Sequence, residues 1–153
     1  MPSPDAKERM HVAKPTPRLR YDEIAEGHEA PSVSHELTRS DLVAYAGASG
    51  DMNPMHTDEV AAKAAGLPSV FGHGMLSMGI LGRALTDWAG VGNLREYRVR
   101  FTKQTWPGET LTTRIVVTGK ARTVEGKRLS VDVALTNQDG EVKLSGSAVV
   151  AAA

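Results

Sequence analysis

The sequence predicts an α+β fold in which one antiparallel sheet curls around one long buried helix. Three observations predict it. From about Leu94 to Ala151 the chain repeats short alternating apolar runs separated by turn residues. From about Ser32 to Gly90 it is helical and loop-rich. Within that first half, the segment Gly74 to Ala89 is apolar nearly all round, the pattern of a buried helix. A single such helix beside a single sheet buries both apolar faces only if the sheet wraps the helix.

The elements follow in chain order. Residues 1–20 carry Pro2, Pro4, Pro15 and Pro17 among charged residues and no apolar core of a signal peptide, so a flexible N-terminal extension is expected there, with Met10 as a possible start. The domain is expected over residues 21–153, opening on a strand near Ser32 to Leu37. Thr38 is placed to cap a short amphipathic helix through Leu42, Val43 and Ala46. Thr57 to Ala65 reads as a second short helix, capped by Thr57 or Asp58 and ended by Gly66. In the long helix, Met75, Leu76, Met78, Ile80, Leu81, Ala84, Leu85 and Trp88 leave only a narrow polar strip around Arg83 and Asp87.

The strands are read from period-two alternation. Tyr97, Val99 and Phe101 form the first, and a Pro107-Gly108 turn leads to Leu111, Thr113, Ile115 and Val117. Gly126 precedes Leu129, Val131, Val133 and Leu135; the hairpin signal Asp139-Gly140 precedes Val142, Leu144, Gly146, Ala148 and Val150. These four are expected to form a meander, with the early strand as a fifth.

Composition narrows the function. The 153 residues carry equal numbers of basic and acidic side chains, so no long-range field gathers nucleic acid or an anionic membrane. Without cysteine there are no disulfides and no thiolate nucleophiles, which fits a cytoplasmic protein. No apolar run approaches the ~20 residues of a membrane span. Neither a phosphate-binding glycine loop nor a G-x-S-x-G elbow occurs.

The chemistry concentrates in Ser49-Gly50-Asp51-Met52-Asn53-Pro54-Met55-His56 and Phe71-Gly72-His73-Gly74-Met75. Pro54 keeps Asn53 out of helical geometry, so Asp51 and His56 lie on a turn that brings both to one small molecule. A carboxylate and an imidazole sharing one water suit the movement of a proton and a hydroxyl across a double bond. The amide of Asn53 can hold the carboxylate or a loop carbonyl. The same residues would also serve as plain turn and cap residues. His73-Gly74-Met75 opens the buried helix, where free N–H groups and a partial positive charge suit an oxyanion close to Gly74, though a glycine at a helix start is common without one. The spacing of the two histidines and Asp51 fits no helical metal pair, so no metal and no cofactor are expected. Arg98, Arg100, Lys103, Lys120 and Arg122 are basic candidates for phosphate contact, or a solvated face.

These two motifs, with Val99-Arg100-Phe101 and Trp106-Pro107-Gly108-Glu109-Thr110-Leu111, resemble the hydratase signature and first long strand of the MaoC-like dehydratases. The resemblance covers about Leu37 to Val150. The flanking residues look closest to the branch holding the catalytic B subunits of mycobacterial (3R)-hydroxyacyl-carrier-protein dehydratases. It implies a hot-dog fold, a five-stranded antiparallel sheet around the helix Gly74 to Ala89. It implies reversible dehydration of (3R)-hydroxyacyl thioesters to trans-2-enoyl thioesters, on acyl-CoA or acyl-ACP. Asp51 and His56 would be the catalytic pair, Asn53 an orienting residue, the Gly74 N–H the oxyanion donor, and His73 and Met75 substrate contacts. It also implies dimers with the acyl chain near the interface, as homodimer or as heterodimer with a second hot-dog subunit. Gly82 departs from the family, where some hydratases carry a serine. Alternatives are a non-catalytic or partner-dependent acyl-thioester-binding subunit and an acyl-CoA thioesterase.

Overall fold

The computed structural model describes residues 15–153. Most of the expected 1–20 extension lies outside the described residues. Its last part packs on the domain: Leu19 is buried, and its carbonyl accepts from the N–H of Ala153. The N–H of Tyr21 donates back to Ala153. Lys120 reaches over to donate to the carbonyls of Tyr21 and Ile24, and Arg122 pairs with Asp22. These two basic residues are therefore a latch on the entry segment.

The chain forms β1 (Ser34–Glu36), α1 (Arg39–Ser49), α2 (Glu59–Ala64), α3 (Gly74–Ala89), β2 (Leu94–Phe101), β3 (Thr110–Thr123), β4 (Gly126–Thr136) and β5 (Val142–Ala152). All five strands join one antiparallel sheet in the order β1-β3-β4-β5-β2. Strand positions match the alternation read from sequence, and α3 begins and ends where its apolar run does.

The expected four-strand meander is corrected. Strands β3, β4 and β5 do meander, but β2 pairs with β5 at the far edge and not with β3. The cause lies in segment 102–109, which is a crossover and not a hairpin. It leaves beside β5, where the N–H groups of Thr102 and Lys103 donate to Lys143, and arrives beside β1, where Gly108 donates to Leu37 and Leu37 to Glu109. Pro107-Gly108 is a turn inside this crossover. Lys143 fastens it from below, donating to the carbonyl of Gln104 and to Glu109.

The core lies between the inner sheet face and α3. Leu111, Ile115, Leu129, Leu135, Leu144 and Val150 meet Leu81, Leu85 and Ala89, all at most 2% exposed. Removing such side chains from water contributes about 1.5–3 kcal/mol each. The helix is not buried all round, however. Met75 is 58% exposed, Gly79, Arg83 and Asp87 face outward, and Leu76 and Ile80 are half-buried, because α1 stands off and leaves a groove along that side.

Gly146 shows how tightly β2 is seated. A Cβ built there would lie 1.9 Å from the Arg98 carbonyl oxygen, a backbone atom that cannot step aside. Gly146→Ala is expected to loosen β2 from β5 and cost about 1–3 kcal/mol or more, read as a lower urea midpoint. An unchanged midpoint would show that the strands can part at no cost.

Among the described residues no helix is long and apolar enough to cross a membrane.

Candidate active site

Local sequence explains how the site is assembled. Thr38 and Asp41 form a reciprocal capping box that starts α1. Gly50 ends it in the left-handed region (φ 77°), turning Asp51 off the helix axis. The Asp51 carboxylate accepts from the Asn53 N–H at 3.3 Å, and the Asn53 side-chain oxygen accepts from Met55 at 3.1 Å, capping the short turn Pro54–His56. Asn53 thus holds the carboxylate through its backbone N–H. Its side chain shapes the turn instead, which differs from the expected side-chain amide donor.

That turn buries His56 to 7% exposure. Its Nδ1 lies 2.6 Å from the carbonyl oxygen of Phe71. A carbonyl can only accept, so Nδ1 carries the proton and Nε2 is left as an acceptor. Nε2 faces the Asp51 carboxylate at 3.9 Å, too far for a direct hydrogen bond. The gap is bounded by two acceptors, and Asp51 is about half exposed, so small molecules can enter.

His73 lies under this pair. Its ring stacks on His56 at 3.9 Å between centroids, Tyr45 meets it edge-on at 4.9 Å, and Nε2 is 3.2 Å from the Asp51 carbonyl oxygen. It is 1% exposed, so the expected direct contact with substrate is not what the geometry offers; His73 supports the loop that carries Asp51. Burial, with the neighbouring His56 adding to it, holds its imidazole below the ordinary range against the opposing pull of Asp51. The unfolded chain therefore takes up a proton at His73 before the folded chain does. This contribution to stability is complete above about pH 6.5 and shrinks as pH falls below it. In His73→Gln, which keeps an N–H donor, the urea midpoint should fall less between about pH 7 and 5 than in the parent; equal slopes would exclude this account.

Donor atoms of Asp51, His56 and His73 lie within 4.8 Å of one another, a spacing a divalent cation could bridge. The donors are poorly disposed for one. The two rings are nearly parallel (27°), so their lone pairs do not converge, and one nitrogen of each ring already faces a backbone carbonyl.

Gly74 follows His73 directly as the first residue of α3. Among the described residues its N–H finds no partner, as expected of a first helical turn. A Cβ here would meet the Phe101 ring at 3.3 Å, so glycine lets that ring lie over the helix start. The N-terminus borders a cavity of about 330 Å³ lined by Gly72, Gly74, Ser77, Phe101, Thr105 and Lys143. Met75 points outward and borders neither this cavity nor the groove along α3. At Gly82, the Tyr97 ring fills the space where a side chain would start, and its hydroxyl donates to the Met78 carbonyl at 2.7 Å. Tyr97 also explains why a serine is not accommodated there without moving the ring.

Sequence reasoning missed Tyr45, Ser77 and the Lys143–Glu109 pair. Lys143 sits where alternation predicts an outward residue, and only its lone charge between apolar neighbours hinted otherwise. The role of Phe71 is carried by a backbone carbonyl, which leaves no signal in sequence.

Comparison with known proteins identifies the family of the domain. Residues 23–139 match the family model described as "MaoC like domain". The chain is 42% identical over 91 residues to 3-hydroxyacyl-thioester dehydratase Y of Mycobacterium tuberculosis, covering 57% of this chain but 31% of that protein. It therefore spans about a third of the length of that relative. It is 30% identical over 132 residues to the (R)-specific enoyl-CoA hydratase of Rhodospirillum rubrum, covering 85% of this chain and 89% of that one. Among solved structures, R-hydratase PhaJ1 from Pseudomonas aeruginosa superposes with a TM-score of 0.79 at 26% identity, over 90% of this chain and 87% of that one. The HadBC (3R-hydroxyacyl-ACP dehydratase) complex of M. tuberculosis superposes with a TM-score of 0.68 at 18% identity, over 82% of this chain and 95% of that one; this shows a shared fold alone. The sheet wrapped on α3 is accordingly a hot-dog fold, and the chain belongs to the MaoC-like domain family.

Proposed function

We propose that this chain is a hydro-lyase that interconverts (3R)-hydroxyacyl and trans-2-enoyl thioesters, with acyl-CoA or acyl-ACP as substrate and no cofactor. The observation that carries the reading is the 3.9 Å gap between the Asp51 carboxylate and the His56 Nε2, with the tautomer of His56 locked by Phe71. Two acceptors facing one gap hold a water by both its hydrogens and leave its oxygen lone pairs free to attack. In hydration the oxygen adds to Cβ of the enoyl thioester. The proton it loses passes to the pair and is returned at Cα, so that the elements of one water are added to one double bond. Charge that builds on the thioester oxygen meets the unpaired Gly74 N–H and the positive end of α3.

The residues then take the following roles. Asp51 and His56 are the catalytic pair. Asn53 orients Asp51 through its backbone N–H, and Gly74 supplies the oxyanion donor. His73 is a positioning residue, and Met75 lies at the outer rim of the helix start. A thioesterase would also draw on a water activated by this pair, so the products of the reaction distinguish the two.

The open outer edge of β2 supports pairing with a second hot-dog subunit, a copy of this chain or a different one. A chain free of cysteine fits a reducing compartment, and the cytoplasm is the proposed location.

The test is the loss of enoyl-thioester ultraviolet absorbance when the purified protein meets crotonyl-CoA. Hydration without added metal or partner supports the reading and shows self-sufficiency. Release of free thiol in place of hydration would instead make it a thioesterase.

A further inference from the structure

The two halves of the Asp51–His56 pair hang on different elements. Asp51 follows the last turn of α1. The Phe71 carbonyl that fixes His56 lies in segment 67–72, between α2 and α3, which has no helix or strand of its own. Three consecutive backbone N–H groups hold that segment. Phe71 donates to the carbonyl of Met55 at 3.2 Å and Gly72 to that of Thr105 at 2.8 Å. Val70 donates to a side chain instead, the Glu59 carboxylate, at 3.5 Å.

Glu59 opens α2 and makes more than this one contact. Its Oε2 accepts from Arg39, the first residue of α1, at 2.6 Å and from the Ser69 hydroxyl at 3.3 Å. Arg39 also donates to the Ser69 oxygen at 3.2 Å, so the three side chains close a ring. Lys63 meets the other carboxylate oxygen at 3.3 Å. An ion pair this exposed, 57% for Arg39 and 33% for Glu59, contributes little to stability by itself. What sets it apart is that one carboxylate joins the starts of α1 and α2 to the two residues before Phe71. The hydrogen bond from Arg39 holds the Glu59 carboxyl well below its ordinary range, at about 2, so it is charged throughout the neutral range.

We infer that Glu59 is a positioning residue for His56. By tying Ser69 and Val70 to α1 and α2 it keeps the Phe71 carbonyl within reach of Nδ1, and so keeps Nε2 free as an acceptor toward Asp51. The inference rests on the hydro-lyase reading for its effect on rate, but the state of the His56 ring is measurable without turnover. The contact from Nδ1 to Phe71 is 2.6 Å, and a hydrogen bond weakens steeply as it lengthens beyond about 3.2 Å or bends. A shift of segment 69–71 by about 1 Å is therefore enough to release the ring, and displacements of that size cost up to about 10²-fold in rate.

The experiment compares the parent with Glu59→Ala and Glu59→Gln. Glutamine keeps an oxygen that can accept from Val70 and Ser69; alanine keeps none. The ¹⁵N resonances of His56, recorded at about pH 8.5, well above the ordinary imidazole range of ~6.5, tell which ring nitrogen carries the proton. The parent and Glu59→Gln should show Nδ1–H alone, while Glu59→Ala should show a mixture with Nε2–H. In crotonyl-CoA hydration, kcat should fall about 10- to 100-fold in Glu59→Ala with KM within about threefold, and Glu59→Gln should stay within about threefold of the parent in both. A residue that only supports the fold would lower the folded fraction and leave the tautomer and the kcat per folded molecule unchanged; that result overturns the inference. Should Glu59→Ala not fold, Arg39→Ala, at a more exposed position, cuts the carboxylate loose from α1 and should shift the tautomer in the same direction. A parent-like His56 ring in that variant would overturn the inference as well. A parent that holds Nδ1–H yet hydrates no crotonyl-CoA would sink the hydro-lyase reading alone, and the ring resonances of Glu59→Ala would then decide the positioning role by themselves.

Discussion

Asp51→Asn and His56→Ala are each expected to lower kcat/KM for crotonyl-CoA hydration by about 10²–10⁴-fold, the range of a positioned acid–base group. In Asp51→Asn the side chain keeps its size, but one of its two ends becomes a donor. A water between it and His56 then meets a donor where it needs an acceptor, and its lone pairs are no longer free to attack. Because Asp51 is about half exposed, the stability cost should stay within about 0.5 kcal/mol, which separates lost chemistry from lost fold. His56→Ala removes the Nε2 acceptor and also leaves the Phe71 carbonyl without its partner, so some loss of stability is expected beside the loss of rate. The double variant should lose no more than about tenfold beyond the worse single one, because two groups that share one water act as a unit. Stopped-flow or steady-state absorbance at saturating and limiting substrate gives all three values. Retention of activity within a few-fold by either single variant would remove the pair from the mechanism.

Much of this arrangement was legible in the sequence, for physical reasons. The Thr38 cap, the Gly66 helix end and the full extent of α3 are written in local chemistry, where one residue type at one offset satisfies particular backbone groups. Strand positions follow from alternation, which reports burial on one face. Strand order does not, because alternation is the same whichever neighbour a strand has. The Pro107-Gly108 turn was therefore taken for a hairpin between neighbours, when the pairing of β2 with β5 depends on the long-range anchoring of segment 102–109. The turn that carries Asp51 and His56 is recognisable because Pro54 and Asn53 dictate its shape, and the structure adds the contact of His56 Nδ1 with the Phe71 carbonyl. His73, expected to touch substrate, is buried beneath His56. A histidine at a helix start looks the same in sequence whether its ring points toward substrate or beneath it. The outward side of α3 was misjudged likewise, since an apolar face left open to a groove reads as an apolar face that is packed.

Lys143→Met is expected to be the most destabilising of these substitutions, at about 3–5 kcal/mol, since it leaves a buried carboxylate without its partner. Lys143 is 2% exposed, with Nζ 2.9 Å from Glu109 Oε2 and 2.6 Å from Glu141 Oε1. Burial opposes its charge, but the hydrogen bonds to Glu141 and Glu109 outweigh it and hold the ammonium above the ordinary lysine range. That contribution is complete below about pH 10.5 and is lost only as pH rises through the folded-state value, so neutral pH carries all of it. Glu109 also accepts from the Trp106 N–H, so the pair ties β5 to both ends of the crossover 102–109. The same crossover supplies the wall of the cavity at Gly74, and the N–H of Gly72 donates to its Thr105 carbonyl. Loosening it should therefore disturb the start of α3, the proposed oxyanion site, as well as the fold, and KM for crotonyl-CoA should rise at temperatures where the variant is still folded. Adding Glu109→Leu to Lys143→Met removes the stranded charge and should regain most of the lost stability, because an apolar pair can replace a buried ionic one. Urea titrations of the two variants beside the parent provide the comparison. A single variant within about 1 kcal/mol of the parent, or a double variant no better than the single, would mean that the crossover is held by its backbone hydrogen bonds and not by this lysine.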